Sequence, residues 1–260
     1  MTTPTTIRVW QSHLAIYKRI WHGHVLLSLV QPTLYLLGFG LGVGALVDDN
    51  VDSTVSLGGV DYFSFLAPAL LATTAMISAG QASLWEVLDG FLWSNRYRAM
   101  AATPLTPRQI ATGLAAWHLT RTTIAATGVA LVLLVFDDTR TWGLVPAVPA
   151  AVLTGLAFAL PISAWSAMQR SGAPFPAVIR FVLLPMFLFG GAFFPIEQLP
   201  GWLQPVAYVT PLWYGIELCR GVVVGGVEPT APFVHVVVIA AYAAAGWVAC
   251  TVTFARRLRP

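Results

Sequence analysis

Six stretches of this chain, roughly 25–47, 63–84, 110–136, 143–168, 177–195 and 233–255, are apolar runs almost free of charge. A helix needs about 20 such residues to cross a bilayer. Hydrocarbon offers no partner for backbone N–H and C=O groups, so each crossing must bond within itself, as a helix does. A soluble alternative fails on composition: 57% of the residues are apolar and 10% are charged, where a soluble domain carries about 25% charged residues. A disordered chain needs the opposite balance. The expected fold is an all-α membrane protein, one domain over 1–260 with six transmembrane helices.

The charges between the runs predict orientation, because cytoplasmic loops carry the excess of Lys and Arg. Arg8, Lys18 and Arg19 precede the first run, Arg96, Arg98 and Arg108 follow the second, Arg170 follows the fourth, and Arg256, Arg257 and Arg259 end the chain. The alternate loops carry Asp48, Asp49, Asp52 and Asp61, then Asp137 and Asp138 against Arg140, then Glu197, Glu217 and Glu228 against Arg220. Both termini are expected in the cytoplasm. The first run begins after about 24 polar and mixed residues and has full span length. A cleaved signal sequence has a shorter apolar region, roughly 7–15 residues, so none is expected.

Within 1–24, Ile7, Trp10, Leu14, Tyr17 and Trp21 recur at helical steps, with Arg8, Lys18 and Arg19 mostly off that stripe. This pattern predicts an amphipathic helix in the membrane interface, in contact with lipid. After the fifth run, 196–218 is half apolar and broken by Pro200, Pro205 and Pro211. It reads as one or two short helices re-entering the outer leaflet between spans five and six.

Several chemistries drop out. Lys18 is the only lysine and has no glycine-rich context. A phosphate-binding loop needs a lysine after its glycines, so ATP hydrolysis by that route requires another polypeptide. Cys219 and Cys250 cannot make a disulfide framework or metal cluster, and they are expected near opposite membrane faces. His13, His22, His24, His118 and His235 have no ligand spacing with carboxylates or thiols. The expectation is no metal, no cofactor on this chain, and no nucleic-acid partner.

Gly38, Gly40, Gly42 and Gly44 lie in the first run as two overlapping G-x-x-x-G pairs. Such pairs let helix backbones approach closely, within one subunit or between two. The segment 85–109 mixes aromatics with arginines and is the most informative cytoplasmic loop. Trp93, Tyr97 and Met100 are expected on one helical face beside Arg96 and Arg98, as an exposed apolar patch rimmed by charge, a pattern that suggests protein contact. A cytoplasmic ATPase is the sharp reading, and anionic lipid is the plain one. Arg121 falls in the inner third of the third run. A charge there faces a bundle interior or cavity, meets an anionic substrate, pairs with Glu86, or snorkels to the headgroups.

These segments resemble a known family. Gln31-Pro32-Thr33-Leu34-Tyr35-Leu36-Leu37-Gly38-Phe39-Gly40-Leu41-Gly42 is similar to the opening span of NodJ-type permeases. Phe189-Gly190-Gly191-Ala192-Phe193-Phe194-Pro195-Ile196-Glu197-Gln198-Leu199-Pro200 resembles a motif of ABC-2 type transporters, and Thr210-Pro211-Leu212 through Arg220 resembles the segment after it. The resemblance implies the membrane subunit of a bacterial ABC exporter in the cytoplasmic membrane. Two permease subunits, identical or related, would pair with two ATPase subunits that hold ATP and Mg. Glu86, Trp93, Arg96, Tyr97, Arg98 and Met100 would lie in the coupling segment, with Arg121 on the substrate path and Phe193 and Phe194 as an apolar gate. NodJ-type members export lipo-oligosaccharides, and others in the superfamily export drugs, antibiotics, lipids or polysaccharides. This chain departs from the NodJ pattern in its basic segment 93–98 and at Arg121, so the architecture carries over more firmly than the substrate. Its apolar and aromatic path residues suit an amphiphile. The alternative function is a non-transporting membrane scaffold or assembly factor. A polytopic membrane enzyme would need an acid/base or metal constellation that the sequence does not display.

Overall fold

The computed structural model describes residues 5–48, 57, 59–225 and 232–258. Asp49, Asp52, Glu228, Arg259 and the side chain of His24 lie outside the described residues. The described residues form helices joined by short turns, with no strand among them. Helix α1 is Thr5–Tyr35, followed without interruption by a π-helical segment, Leu36–Val43, and by α2, Gly44–Asp48. Then come α3, Tyr62–Leu92; α4, Arg96–Ala101; α5, Pro107–Leu133; and α6, Leu144–Ser166. The interval 175–189 holds α7, Phe175–Val178, a second π-helical segment, Ile179–Leu183, and α8, Leu184–Phe189. Three more follow: α9, Gln204–Val209; α10, Pro211–Val223; and α11, Pro232–Arg257.

Among the described residues, four helices are long and apolar enough to cross a membrane: Leu29–Asp48, α3, α6 and α11. The six expected spans therefore reduce to four strong ones. Most of the run 110–136 lies in α5, which has 27 residues but places His118, Arg121 and five threonines along its length. The run 177–195 becomes the shorter apolar helix Phe175–Phe189, bounded by Pro174 and by the turn after Gly190.

Local chemistry sets the boundaries. The Asp61 carboxylate accepts from Ser64 N at 2.9 Å and caps α3, while Asp48 accepts from Tyr62 N at 2.9 Å. Thr106 and Gln109 form a reciprocal capping box at the start of α5, an arrangement worth about 1 kcal/mol. Asn95 adopts a left-handed φ of 49° and turns the chain from α3 into α4. Pro32 removes one backbone donor from α1, and the glycine-rich turns beyond it widen into the π-helical segment.

Helix α6 is the centre of the packing, against α3, α5, α10 and α11. Gly155 on α6 shows how close this is. A Cβ there would lie 2.5 Å from Thr122 Cγ2 and 3.1 Å from Ala75 O, so α3, α5 and α6 meet where only a hydrogen fits. A second apolar cluster joins Val9, Tyr17, Phe91, Tyr97, Ala167 and Phe254. It gathers α1, the end of α3, α4, the α6 terminus and the end of α11 at one pole, where Arg257 donates to Ala167 O and, at 2.8 Å, to Gln169 O. Cys250 belongs to this cluster and Cys219 to the main core, and both thiols are free.

Two local expectations are corrected. The amphipathic stripe does not belong to a short helix ending near residue 24. From Thr5 its residues are the first turns of a 31-residue helix. Val9, His13 and Tyr17 of that helix are buried against α5, and Trp10 Nε1 donates to Thr120 Oγ1 at 2.9 Å. Gly113 permits this approach, since a Cβ there would meet Val9 Cβ at 2.5 Å. Half of the predicted stripe thus faces protein, and Ile7 and Trp21 remain exposed. Nor is 85–109 a loop from its start, because α3 continues to Leu92. The broken character of 196–218 is present as a short 3-10 turn, Ile196–Gln198, then α9 and α10.

Candidate functional site: two chambers beside a short helix

Helix α3 has 31 residues, about 46 Å at 1.5 Å per residue. Its last turns therefore carry Glu86 and Asp89 beyond the apolar stretch. Trp117 and Arg121 lie one turn apart on α5 and both reach Glu86. Trp117 Nε1 donates to Glu86 Oε2 at 2.9 Å, and Arg121 Nη1 donates to Glu86 Oε1 in an ion pair. The pairing of Arg121 with Glu86, left open among alternatives by the sequence, is realised. Both side chains keep part of their surface, 17% for Arg121 and 25% for Glu86, and that surface opens on a cavity.

The cavity, of about 570 Å³, lies between α1, α3 and α5, with Tyr35 and Phe187 in its lining. Glu86, Asp89, Arg96 and Arg121 bring charge to its wall, and Trp85, Trp93 and Trp117 bring indole faces. This is the polar chamber. A second cavity, of about 490 Å³, is lined by Phe39, Val43, Val47, Leu188, Phe193 and Phe194, with Tyr62 and Gln198 contributing polar atoms. This is the apolar chamber. The residues expected on a path, Arg121, Phe193 and Phe194, thus fall on the walls of two chambers.

The segment 93–100, expected to contact an ATPase, differs from its expected form. Trp93 is 63% exposed but caps α3, and it stacks on Trp85 at 6.5 Å between ring centroids. Arg98 is exposed, and Arg96 and Met100 are half-buried. Tyr97 is fully buried. It packs on Phe91 at 4.9 Å, Phe254 at 5.1 Å and His13 at 6.1 Å. Trp93, Tyr97 and Met100 therefore do not form one exposed face: the helix breaks at Asn95, and Tyr97 turns inward while Trp93 turns out. Burial pushes the Tyr97 hydroxyl up to about 12. His13 stacks on Trp117 at 5.8 Å. Burial and then the nearby Arg96 charge hold it well below its usual value, as an uncharged imidazole.

The glycines divide into two faces. A Cβ on Gly40 would meet Phe63 Cδ2 at 2.8 Å, and one on Gly44 would touch Tyr62, so these two pack on α3. Gly38 and Gly42 have nothing within 4 Å of a Cβ position. They lie beside exposed Leu37, Phe39 and Leu41.

Trp117, His13, Tyr17, Tyr35 and Phe187 were not expected at the site. Helical spacing carried a signal for the first three: Trp117 and Arg121 are one turn apart, as are His13 and Tyr17, and each pair lines the polar chamber.

The profile of the family described as ABC-2 type transporter matches residues 6–224. The chain belongs to the ABC-2 type transporter family. It is 32% identical to Nodulation protein J of Rhizobium leguminosarum bv. viciae over 97% of this chain and 94% of that protein. It is 31% identical to Nodulation protein J of Rhizobium meliloti strain 1021 over 98% of this chain and 94% of the relative. It is also 23% identical to the inner membrane transport permease YadH of Escherichia coli K12, over 80% and 78% of the two chains. Like other ABC-2 permeases, it is a multi-pass membrane protein of a bacterial family. Such permeases generally are not enzymes themselves and work with an ABC ATPase partner.

Proposed function

We propose that this ABC-2 chain is the permease subunit of an ATP-driven exporter that moves an amphiphilic substrate, a drug, lipid or lipo-oligosaccharide, out across the cytoplasmic membrane. In this reading two permease subunits, identical or related, sit on two copies of an ATPase that binds ATP and Mg. The chain crosses six times, through Leu29–Asp48, α3, α5, α6, Phe175–Phe189 and α11, with both termini cytoplasmic and 196–218 re-entering from outside. Trp93, Arg98 and the exposed rim of α4 meet the ATPase.

The observation that carries the reading is an unbroken contact path from α4 to the wall of the polar chamber. Tyr97 touches His13, His13 stacks on Trp117, and Trp117 holds Glu86, which holds Arg121. Packed side chains with defined contacts can pass a displacement between sites, whereas a solvated loop cannot. Movement of α4 by a partner would reach the ion pair facing the chamber.

The test is purification of the tagged chain from its native membrane in mild detergent, followed by ATPase assay with and without vanadate. A co-purifying, vanadate-sensitive ATPase supports the exporter, and its stoichiometry distinguishes homodimer from heterodimer. A clean chain without ATPase sinks the exporter and favours the scaffold. For the gate, replacement of Phe193 and Phe194 by alanine should alter export at normal expression. Unchanged export would count against that role.

A further inference from the structure

Four aromatic rings separate the two chambers, and they form a closed circuit. Tyr35 and Phe187 are 5.4 Å apart between centroids, Phe187 and Phe193 5.0 Å, Phe193 and Phe39 5.1 Å, and Phe39 and Tyr35 6.2 Å. Tyr35 and Phe187 line the polar chamber. Phe39 and Phe193 line the apolar one. The rings are therefore a wall at which the linings of the two chambers meet.

The chambers differ in chemistry across that wall. The apolar chamber has aliphatic and aromatic walls over most of its surface, and a cavity of this kind does not hold ordered water, which needs several polar partners. Its favourable occupant is hydrocarbon. The polar chamber presents Arg121, with one nitrogen committed to Glu86, and the buried His13, whose Nε2 has no hydrogen-bond partner. Its favourable occupant is polar. Rings at these separations are in contact, so a single molecule that satisfies both must carry a polar head and a chain thin enough to enter with the least parting of the rings.

We infer that the two chambers form one bipartite site for a single-chain amphiphile, with the head beside Arg121 and His13 and the alkyl chain threaded past Tyr35, Phe39, Phe187 and Phe193 into the apolar chamber. This rests on the transport reading above and narrows its substrate class to single-chain amphiphiles. The four rings select for a chain rather than a fused ring system, and the apolar chamber limits chain length. The same hydrocarbon could also come from a bilayer lipid entering sideways, with its head left in the interface. The experiment must separate these two sources.

The full chain, in lipid nanodiscs, is photolabelled with single-chain amphiphiles bearing a diazirine at the chain end and a carboxylate, quaternary ammonium or glucosyl head. Labelled residues are located by peptide mass spectrometry. The expected result is chain-end labelling at Val43, Val47, Leu188 or Phe189 with at least one head. Val47→Trp, which fills the apolar chamber, should reduce that labelling about tenfold at sub-saturating probe, as 1.4 kcal/mol would. Arg121→Gln should reduce it comparably for the head that labels. Gln81→Trp narrows the polar chamber from an exposed position, and it serves if Arg121→Gln fails to fold. Labelling confined to the lipid-exposed Leu41, Leu46 and Phe181, or chamber labelling indifferent to Gln81→Trp and Arg121→Gln, overturns the proposal, the latter in favour of a bilayer lipid. ATPase association is scored separately: a chain that binds its ATPase yet leaves the chamber unlabelled refutes the bipartite site and leaves the exporter standing.

Discussion

Trp117 on α5 donates its indole N–H to Glu86 on α3 at 2.9 Å. The bond fixes one carboxylate oxygen and leaves the other for Arg121. Removing one member of such a pair strands a charge at low dielectric, whereas removing both does not. Glu86→Gln and Arg121→Gln should each cost about 2 kcal/mol, and the double variant should cost clearly less than the sum. Thermal unfolding of the four chains in one detergent measures this. An additive cycle would mean that the pair contributes nothing.

The two aromatic residues flanking Asn95 should behave oppositely. Tyr97 has no exposed surface and lies among His13, Phe91 and Phe254. Tyr97→Ala should cost about 3–5 kcal/mol, and Tyr97→Phe should retain most of that. Trp93 is 63% exposed, so Trp93→Ala should change stability by no more than about 0.5 kcal/mol while weakening ATPase co-purification. Equal stability losses at the two positions would show that the turn at Asn95 does not separate them.

The glycine faces give a paired prediction. Gly40→Val drives a side chain into Phe63, which should cost about 1–3 kcal/mol as overpacking. Gly38→Val and Gly42→Val meet open space. They should leave the single chain as stable as before while reducing the association of two copies, measured by cross-linking in native membranes. Undiminished cross-linking would assign that face to lipid.

His13 predicts a pH dependence. Its folded value is lowered by burial and by Arg96, so the unfolded chain binds the proton first, near 6.5. The stability associated with the neutral imidazole is fully present above that value and declines as pH falls below it, by at most about 1.4 kcal/mol per pH unit. Unfolding followed from pH 7.5 to about 5 should show this slope, and His13→Gln should flatten part of it. A wild-type chain equally stable across the window would contradict a buried neutral His13.

Composition and charge placement already revealed a helical membrane protein, because apolar length and the scarcity of charge admit few alternatives. Pro200, Pro205 and Pro211 marked the broken segment, since proline cannot continue a helix. The pairing of Arg121 with Glu86 was one of several alternatives the sequence left open, since a charge at that depth needs a partner, a cavity or an exit. What stayed hidden depended on tertiary direction. Tyr97 reads as exposed beside Arg96 and Arg98, and only the left-handed turn at Asn95 points it inward. The glycines read as two overlapping pairs whose partners were open, and only the position of Phe63 shows that Gly40 packs within the chain while Gly38 and Gly42 do not. The circuit of Tyr35, Phe39, Phe187 and Phe193 joins residues from opposite ends of the chain, and no local pattern marks it.

Arg220 donates to Phe65 O at 3.3 Å and to Gly191 O at 2.9 Å, pairs with Glu217, and covers the Phe65 ring at 3.7 Å. One guanidinium thereby fastens the turn after α8 and helix α10 to the far end of α3. The near end of α3 bears Glu86, Trp93 and the turn into α4. A rod of about 46 Å pivoting at its middle carries each end about 2 Å for a tilt of about 5°. The region around Gly191 is thus tied, through Arg220, to the same rod whose other end carries the turn into α4, and a tilt of that rod would move both.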